Sequence, residues 1–598
     1  MGAISAPDAV SESDEGDDGK GREGRLATLA ARAGKVRWRP VASWTGRMLK
    51  SEGAVAFYFG LLISAVFNYR IVLNPRSLTT GGLGEDPMLQ AWELAWLRHW
   101  VTDGGSLWTA NQFFPAVDNF AFSDALLGYL PLSLFGGDGQ YGAIFRYNVA
   151  YVLAFALAFT GAYLLAKQLG SSWQGAALAG IVFAWAPWRV THIHHLNVLS
   201  TGGIALALWA LARGHGYSFR ERTEPRPWWI FAGWLIAAWQ VSIGFAIGLP
   251  FAHVMGVIGL VIVVAAWRLR SRAVVIANAY GAVVFLVVTA LLIVPYFRVV
   301  DMYGFKRHWE EIGAFSPPVN GLWTTSYQNW LWFESAFTHH EEIPALNIGE
   351  KFLFPGLFVV VLAVIGLFVS AWRIRVRAML ASAVAVVVVL ALGTNFLDGA
   401  VYRFLWDYLP GWNAMRTPGR LILWALLPLG LLAAGAVTEF GRLLVDRTQV
   451  SLKLIAIYLF VPALAVLVEG IPKLPYAENP GIPPDLKRAF METKDPLLVL
   501  PIADGHADLT YLLWSTEGFP TMANGNSGNF PKSYWEIREI SRTFPDAESI
   551  DVLRNYGIRK VIVLKAQPYG VDFANRPVAG LPVERTESND IVEYTITG

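Results

Sequence analysis

The stretch Gly81–Trp100, GGLGEDPMLQAWELAWLRHW, places two adjacent acids just beyond the first long apolar run of the chain. Its Asp-Pro pair predicts the start of a helix, because aspartate caps free amide groups and proline fits the first helical turn. Tryptophans then recur at a spacing of four residues. This row predicts a helix in the membrane interface, because indole rings favour the level of the lipid headgroups. The stretch therefore predicts a carboxylate pair, Glu85 and Asp86, at the membrane surface. A capping aspartate beside a solvated glutamate is the simpler alternative.

The composition is that of a protein that crosses the membrane many times. Hydrophobic residues make up 54% of the 598 residues and charged residues 16%, whereas a soluble protein carries about 25% charged residues. The net charge of +2 says nothing about nucleic acid, and no basic patch with interleaved aromatic residues predicts it as a partner. The absence of cysteine excludes disulfides, iron–sulfur clusters and thiol catalysis.

Three segments precede or form the membrane domain. Residues 1–23 are acidic and lack apolar periodicity, which predicts a disordered tail. Residues 24–50 are basic and predict a cytoplasmic juxtamembrane segment. Within residues 51–472, apolar runs predict about eleven membrane helices, each needing roughly 17–25 residues. The runs lie near 54–73, 142–166, 173–190, 196–212, 228–243, 246–267, 273–297, 353–371, 377–393, 419–438 and 453–471.

Charge in the connecting loops predicts the orientation of these helices. The loops after the even-numbered runs are basic, for example 268–272 and 373–377. Basic loops stay in the cytoplasm, so the N-terminus is expected inside and the protein in the cell membrane. The loops 74–141 and 298–352 and the C-terminal residues 473–598 are then expected outside.

The C-terminal residues have a different pattern. LLVLPI (497–502) and KVIVLK (560–565) predict short strands, and a helix is predicted near 546–556, with Asp546 as its cap. The order of strands and helices predicts a small extracytoplasmic α/β domain. The predicted fold class is thus a polytopic α-helical membrane protein with a small α/β C-terminal domain.

Acids, arginines and histidines gather in the segments expected outside. FSDALLGYLP (122–131) contains Asp124, and RVTHIHHLN (189–197) contains three histidines. EKFLFPG (350–356) begins with Glu350, and RTPGR (416–420) has an arginine at each end.

This layout resembles the GT-C superfamily of membrane glycosyltransferases, which use sugars carried on polyprenyl phosphate and include the protein O-mannosyltransferases. The shared pattern is an inside N-terminus, an acidic motif soon after the first helix, many further helices and an outer C-terminal domain. Glu85-Asp86 occupies the position of the acidic motif, and the four segments quoted above look like segments of uncharacterised bacterial members. The resemblance covers most of residues 50–598.

The resemblance implies transfer of a sugar, with inversion, from a polyprenyl-phosphate donor to a glycan, lipid or protein acceptor of the cell envelope. Asp86 is the predicted general base and Glu85 the second choice. Arg416, Arg420 and Arg189 are predicted to bind the donor phosphate, because arginine matches phosphate in a bidentate geometry. The alternative for RTPGR is that its arginines only anchor a helix at the interface.

Four further residues are predicted to contact substrate or a metal. A divalent metal is possible, since the oligosaccharyltransferases of this superfamily use one, but no cofactor or metal ligand is assigned. Histidines at a helix end more often bond backbone carbonyls, and HHEE (339–342) is more simply an exposed turn. The four candidates are His192, His195, Asp124 and Glu350.

Two other functions fit the same sequence. A transporter or flippase of polyprenyl-linked or lipid substrates would need charged groups inside its helices, and few are visible. A catalytically inactive relative could use its C-terminal domain for interactions. The sequence identifies neither the sugar nor the acceptor.

Overall fold

The apolar runs fold into long helices in a computed structural model that describes residues 50–266, 271–335, 339–502 and 505–597. The disordered tail predicted for 1–23 and all but one residue of the basic segment 24–50 lie outside the described residues. The chain forms two units, residues 1–55 and 56–598. In the first unit, the described residues 50–55 contain the beginning of the first helix.

The membrane domain contains eighteen α-helices among the described residues. They are α1 Glu52–Phe67, α2 Tyr69–Leu73, α3 Asp86–Asp103, α4 Leu130–Ser133, α5 Gly139–Gln168, α6 Trp173–Trp185, α7 Pro187–Thr191, α8 Leu196–Leu199, α9 Gly202–Gly214, α10 Pro227–Ile243, α11 Phe245–Ala266, α12 Arg272–Tyr303, α13 Trp309–Phe315, α14 Leu357–Phe368, α15 Ile374–Ala391, α16 Ala400–Tyr408, α17 Leu423–Arg447 and α18 Leu452–Glu469. The two longest connections between these helices follow α3 and α13.

Within the described residues, seven helices are long and apolar enough to cross a membrane, and two shorter apolar helices accompany them. The run predicted at 173–190 is broken between α6 and α7, because Pro187 lacks an amide hydrogen and starts a new helix. The count of eleven spans stays a prediction. The seven are Gly139–Gln168, Leu196–Gly214, Phe245–Ala265, Arg272–Tyr303, Ile374–Ala391, Pro418–Arg447 and Leu452–Glu469.

Burial separates central helices from peripheral ones. The most apolar window of α5 is 78% buried and that of the span ending with α17 is 94% buried, against 17% for α12 and 11% for α15. Leu286 and Leu291 of α12 are 63% and 68% exposed. Apolar surface of this extent requires lipid rather than water around it, so the chain is a polytopic helical membrane protein.

The C-terminal region contains a four-stranded sheet in the order β3-β4-β6-β5. Strands β3 and β4, which match the two predicted strands, are parallel, and β6 is antiparallel to both β4 and β5. Asp546 and Ser549 form a capping box at the predicted helix. The elements are α19 Pro484–Glu492, β3 Leu497–Leu500, α20 Gly505–Ser515, α21 Lys532–Ile540, α22 Ala547–Asn555, β4 Lys560–Leu564, α23 Gly570–Ala574, β5 Val583–Glu587 and β6 Ile591–Ile596.

A short antiparallel ladder joins the loop before α3 to the start of the C-terminal region. Strand β1, Leu78–Thr80, pairs with β2, Tyr476–Glu478. The Gly81 amide also donates to the Pro475 carbonyl. The first long loop and the C-terminal region therefore lie together, and the ladder ends within a few residues of Glu85.

The tryptophan row of α3 faces protein, so its predicted contact with lipid headgroups is wrong. Trp92 is 1% exposed and donates from Nε1 to Asn111 Oδ1 at 3.0 Å. Trp96 is 7% exposed and donates to the Leu107 carbonyl. Helix α20 of the C-terminal region packs on α3. The two indoles themselves contact the loop after α3, through Asn111, Leu107 and Phe120, and Trp96 also contacts Phe519.

Candidate active site at the start of helix α3

The turn before α3 is held against the segment that joins α7 and α8. Thr80 Oγ1 donates to the Ile193 carbonyl at 3.3 Å. Gly81 has a φ of +100°, and a Cβ there would lie 2.4 Å from His194 Nδ1 and 2.5 Å from Glu85 Oε2. Only glycine therefore fits where the backbone approaches these two side chains.

Neither acid caps the helix, which corrects the capping role predicted for Asp86. Glu85 is the N-cap residue, but its side chain accepts no hydrogen bond from the first amides, and Asp86 is the first helical residue. Instead, Glu85 Oε2 lies 3.0 Å from His194 Nδ1, and Asp86 Oδ2 lies 3.3 Å from His195 Nε2. The carboxylates are 39% and 45% exposed, so both remain accessible to a substrate.

Arg420 and Glu350 form a buried ion pair beside the histidines. Arg420 Nε lies 3.1 Å from Glu350 Oε1 and 3.0 Å from Oε2. Burial alone would raise the pKa of Glu350, but the charge of Arg420 and its hydrogen bonds hold that pKa well below its usual range. Arg420 also interacts electrostatically with Asp86 and Asp124. The structure thus brings Arg420 and Glu350 to the acidic corner, the turn that carries Glu85 and Asp86.

The two predicted histidines are held in their neutral forms. Burial lowers the pKa of His192 well below its usual value; Glu350 opposes this change, and the positive charge of Arg420 adds to it. Burial and then Arg420 lower the pKa of His195, whereas Asp86 raises it. The contact between His195 and Asp86 is therefore one between a neutral imidazole and a carboxylate.

A hydrogen-bonded chain leads from α3 to the start of α11. Gln90 donates to Asn197 Oδ1 at 3.3 Å, and Asn197 donates to Asp124 Oδ2 at 2.7 Å. Asp124 Oδ1 accepts from the amide of Phe245 at 2.6 Å. Burial raises the pKa of Asp124, although these hydrogen bonds oppose the change. Asp124 therefore caps a membrane helix and connects it to the segment of the histidines.

Glu93 lies on the same face of α3 as Asp86 and is 4% exposed. Burial raises the pKa of Glu93 well above its ordinary value, and the negative charges of Asp124 and Asp86 raise it further. These effects favour the protonated acid.

The other two predicted arginines lie elsewhere. Arg189 is 1% exposed and donates to the carbonyls of Phe183 and Leu199 and to Thr201 Oγ1. Its guanidinium forms these hydrogen bonds inside the protein, so the phosphate-binding role predicted for Arg189 does not fit this geometry. The helix breaks at Pro187, which leaves backbone carbonyls without helical partners. Arg189 supplies hydrogen bonds to one such carbonyl, that of Phe183.

Arg416 belongs to a neighbouring charge cluster. Its Nη1 lies 3.6 Å from Glu311 Oε1, and its guanidinium lies over the ring of Phe315. Arg307 contacts the same glutamate at 3.2 Å and reaches the Gly528 carbonyl of the C-terminal region. Arg416 is therefore engaged by Glu311, while Arg420, four residues further on, faces the acidic corner.

Among the described residues, no three His, Asp or Glu side chains form a group that could hold a metal ion. His339 lies 3.9 Å from Glu342 on an exposed turn. His192, His195, Asp124 and Glu350 all lie close to Asp86 or Arg420.

Sequence reasoning left out Gln90 and Glu93, and it did not predict the contact between His194 and Glu85. The spacing of Asp86, Gln90 and Glu93 was a usable signal, because residues four and seven positions apart share one face of a helix. The pairing of His194 with Glu85 had no local signal, because it depends on a contact between distant segments.

The long apolar helices and the acidic turn before α3 belong to a polytopic helical membrane protein. No family model and no curated protein matches the chain. Among solved structures, the chain is similar to the arabinofuranosyltransferase AftD from mycobacteria, with 15% identity and a TM-score of 0.52. The match covers 91% of this chain but only 41% of that one. The predicted resemblance to GT-C membrane glycosyltransferases is confirmed at the level of the fold.

Proposed function

We propose that the protein is an integral membrane glycosyltransferase that moves a sugar, with inversion, from a polyprenyl-phosphate donor to an acceptor of the cell envelope. The observation that carries this proposal is the position of Asp86. It is half-exposed at the first residue of α3, contacts His195, and lies within electrostatic reach of Arg420. A base and a cation therefore meet at one accessible corner.

The proposed reaction uses these groups in turn. Asp86 removes the proton of the acceptor hydroxyl as that oxygen attacks the anomeric carbon. The bond from the anomeric carbon to the phosphate oxygen breaks, and its electron pair leaves with polyprenyl phosphate. The attack comes from the side opposite the leaving group, which inverts the anomeric centre.

Arg420 is the proposed partner of the leaving phosphate. Its Nε–H and Nη2–H groups donate to the Glu350 carboxylate, whereas no described residue accepts a hydrogen bond from Nη1. A guanidinium held rigidly by a carboxylate on one edge can offer its other edge to a phosphate oxygen. Stabilising the developing charge of a leaving group is often the largest contribution to catalysis. Arg416 is the second candidate for this role.

The site is proposed to face the outside of the cell. Ladder β1–β2 joins residues of the first loop to the start of the C-terminal region, which supports placing both on one side. Since nucleotide sugars are cytoplasmic, a lipid phosphate would deliver the activated sugar there. The fold of an arabinofuranosyltransferase makes a pentose the first donor class to test, with a hexose as the alternative.

The test is a glycan profile of the envelope in cells with the gene, without it, and with Asp86→Asn in its place. We expect loss of a specific sugar linkage without the gene, and the same loss in the variant at normal protein level. Glu548→Gln, on an exposed helical surface of the C-terminal region, should restore the linkage. An unchanged glycan profile in the Asp86→Asn cells, together with accumulation of lipid-linked sugar in the cells without the gene, would favour a flippase instead.

A further inference from the structure

A second cleft lies at the other end of α3, between the membrane domain and the C-terminal region. Its volume is about 380 Å³, within the range of roughly 300–1,000 Å³ that ligand pockets occupy. The last two turns of α3, the start of α5 and the loop after α20 line it. His99 lies 13 residues after Asp86, about 20 Å along the helix at 1.5 Å per residue, and the helical repeat places it on the opposite face.

Side chains of both positive and negative charge line this cleft. Arg98 donates to Asp138 Oδ1 at 2.6 Å, and His99 lies 3.1 Å from Asp103 Oδ2. Glu517 accepts from the amide of Gln140 at 3.1 Å. Two arginines and three carboxylates line the cleft, so it presents no excess positive charge to an anion. It offers donors and acceptors side by side instead.

One buried donor of the cleft lacks an acceptor. Arg146 is 1% exposed, and its Nη1 donates to the carbonyls of Phe135 and Gly137. Its Nε finds no hydrogen-bond partner among the described residues. A buried donor without an acceptor destabilises the folded state, and a ligand hydroxyl can supply the missing acceptor.

An aromatic surface forms the floor of the cleft. The ring of Phe519 stacks on His99 with centroids 4.3 Å apart, and Trp96 contacts Phe519 edge-on and His99 at a tilt. Phe519 has a φ of +49°, a conformation that is a genuine outlier for a bulky side chain. Such a conformation persists only where the surrounding structure fixes it. Here it holds a flat apolar ring beside the polar groups.

We infer that this cleft is a binding subsite for a neutral oligosaccharide, the distal part of the acceptor glycan. A sugar matches it because each hydroxyl both donates and accepts, so it can bridge an arginine and a carboxylate. The apolar face of the sugar ring packs on Phe519. The assignment as acceptor rests on the proposed function, whereas oligosaccharide binding does not. The subsite is remote from Asp86 and takes no part in the chemical step.

The experiment is equilibrium binding of neutral arabino- and manno-oligosaccharides of two to six units to the full chain, in a detergent without a sugar headgroup. We expect saturable binding that weakens at least tenfold in Phe519→Gly and several-fold in Asp103→Asn. Glycine is chosen because it accepts the positive φ and spares the fold. Glu548→Gln, on an exposed helical surface away from both sites, should bind like the wild type.

Two results would overturn the subsite: no saturable binding of either series, or binding unchanged in both cleft variants. Stronger binding of inorganic phosphate than of any oligosaccharide would overturn it as well, because the site would then select charge. If no oligosaccharide binds to the cleft but the sugar linkage is lost in Asp86→Asn cells, the subsite is refuted and the proposed function stands. Binding here with an unaltered glycan profile in Asp86→Asn refutes Asp86 as the base and leaves the subsite.

Discussion

Helices α3 and α20 pack against each other, and each carries an aspartate in its first turn, but the two carboxyl groups have different surroundings. Asp86 is 45% exposed and contacts an imidazole, a group that can exchange protons. Asp508 is fully buried and accepts from Tyr534 at 2.6 Å and from Asn524 at 2.9 Å. One carboxylate is open to a substrate, whereas the other is enclosed by fixed donors.

The comparison shows that the environment of an aspartate decides which role the side chain can have. Asn524 also exchanges hydrogen bonds with the backbone of Val499 in β3, so Asp508 connects α20 to the sheet. Burial raises the pKa of Asp508 to about 6, although its two hydrogen bonds oppose the change. We therefore assign Asp508 to stability and Asp86 to catalysis, and the following variants test that division.

Among the variants that keep Asp86 itself, the largest effect is expected from the glycine that shapes the Asp86 site. Gly81→Ala forces a Cβ against His194 and Glu85 and should lower the rate of transfer by about 100-fold, since a misplacement of about 1 Å can cost that much. Gly104→Ala is a matched control, because Gly104 also has a positive φ, +82°, but has nothing within 4 Å. Transfer rates in isolated membranes distinguish the two. Equal losses in both variants would show that backbone strain, not the approach to His194, matters.

A smaller effect is expected from the imidazole beside Asp86. His195→Asn should lower kcat by roughly 10-fold and leave KM nearly unchanged, because His195 orients the base without holding the substrate. His339→Asn, on an exposed turn, is the control and should keep the wild-type kcat. A rise in KM at constant kcat would instead make His195 a substrate-binding residue.

The smallest effect concerns stability at Asp508. The folded protein holds the proton up to about pH 6, whereas an unfolded aspartate loses it near pH 4. The stability of the wild type relative to Asp508→Asn should therefore fall between about pH 4 and pH 6, by roughly 2–3 kcal/mol, and stay level above that window. Apparent melting temperatures across this range measure the difference. A difference that does not change with pH would show that Asp508 is not protonated in the folded protein.

Local patterns predicted part of this structure and long-range contacts determined the rest. The helix start at Asp86, the two strands and the Asp546 cap depend on neighbouring residues, and the sequence predicted each of them. The burial of Trp92 depends on tertiary contacts with Asn111 and Phe120 of the loop after α3, so a lipid-facing row was the wrong conclusion. Arg189 and Arg420 look alike in sequence, but only the structure shows that one satisfies backbone carbonyls and the other pairs with Glu350 beside the acids.

The most direct test makes the same chemical change in both aspartates and measures sugar transfer from polyprenyl-phosphate donors in isolated membranes. Asp86→Asn should lower the rate by about 10²- to 10⁴-fold, the contribution of a general base, with an unchanged melting temperature. Asp508→Asn should keep the rate within a few-fold of the wild type. Full activity in Asp86→Asn, or an equal loss in both variants, would contradict the assignment of Asp86 as the base.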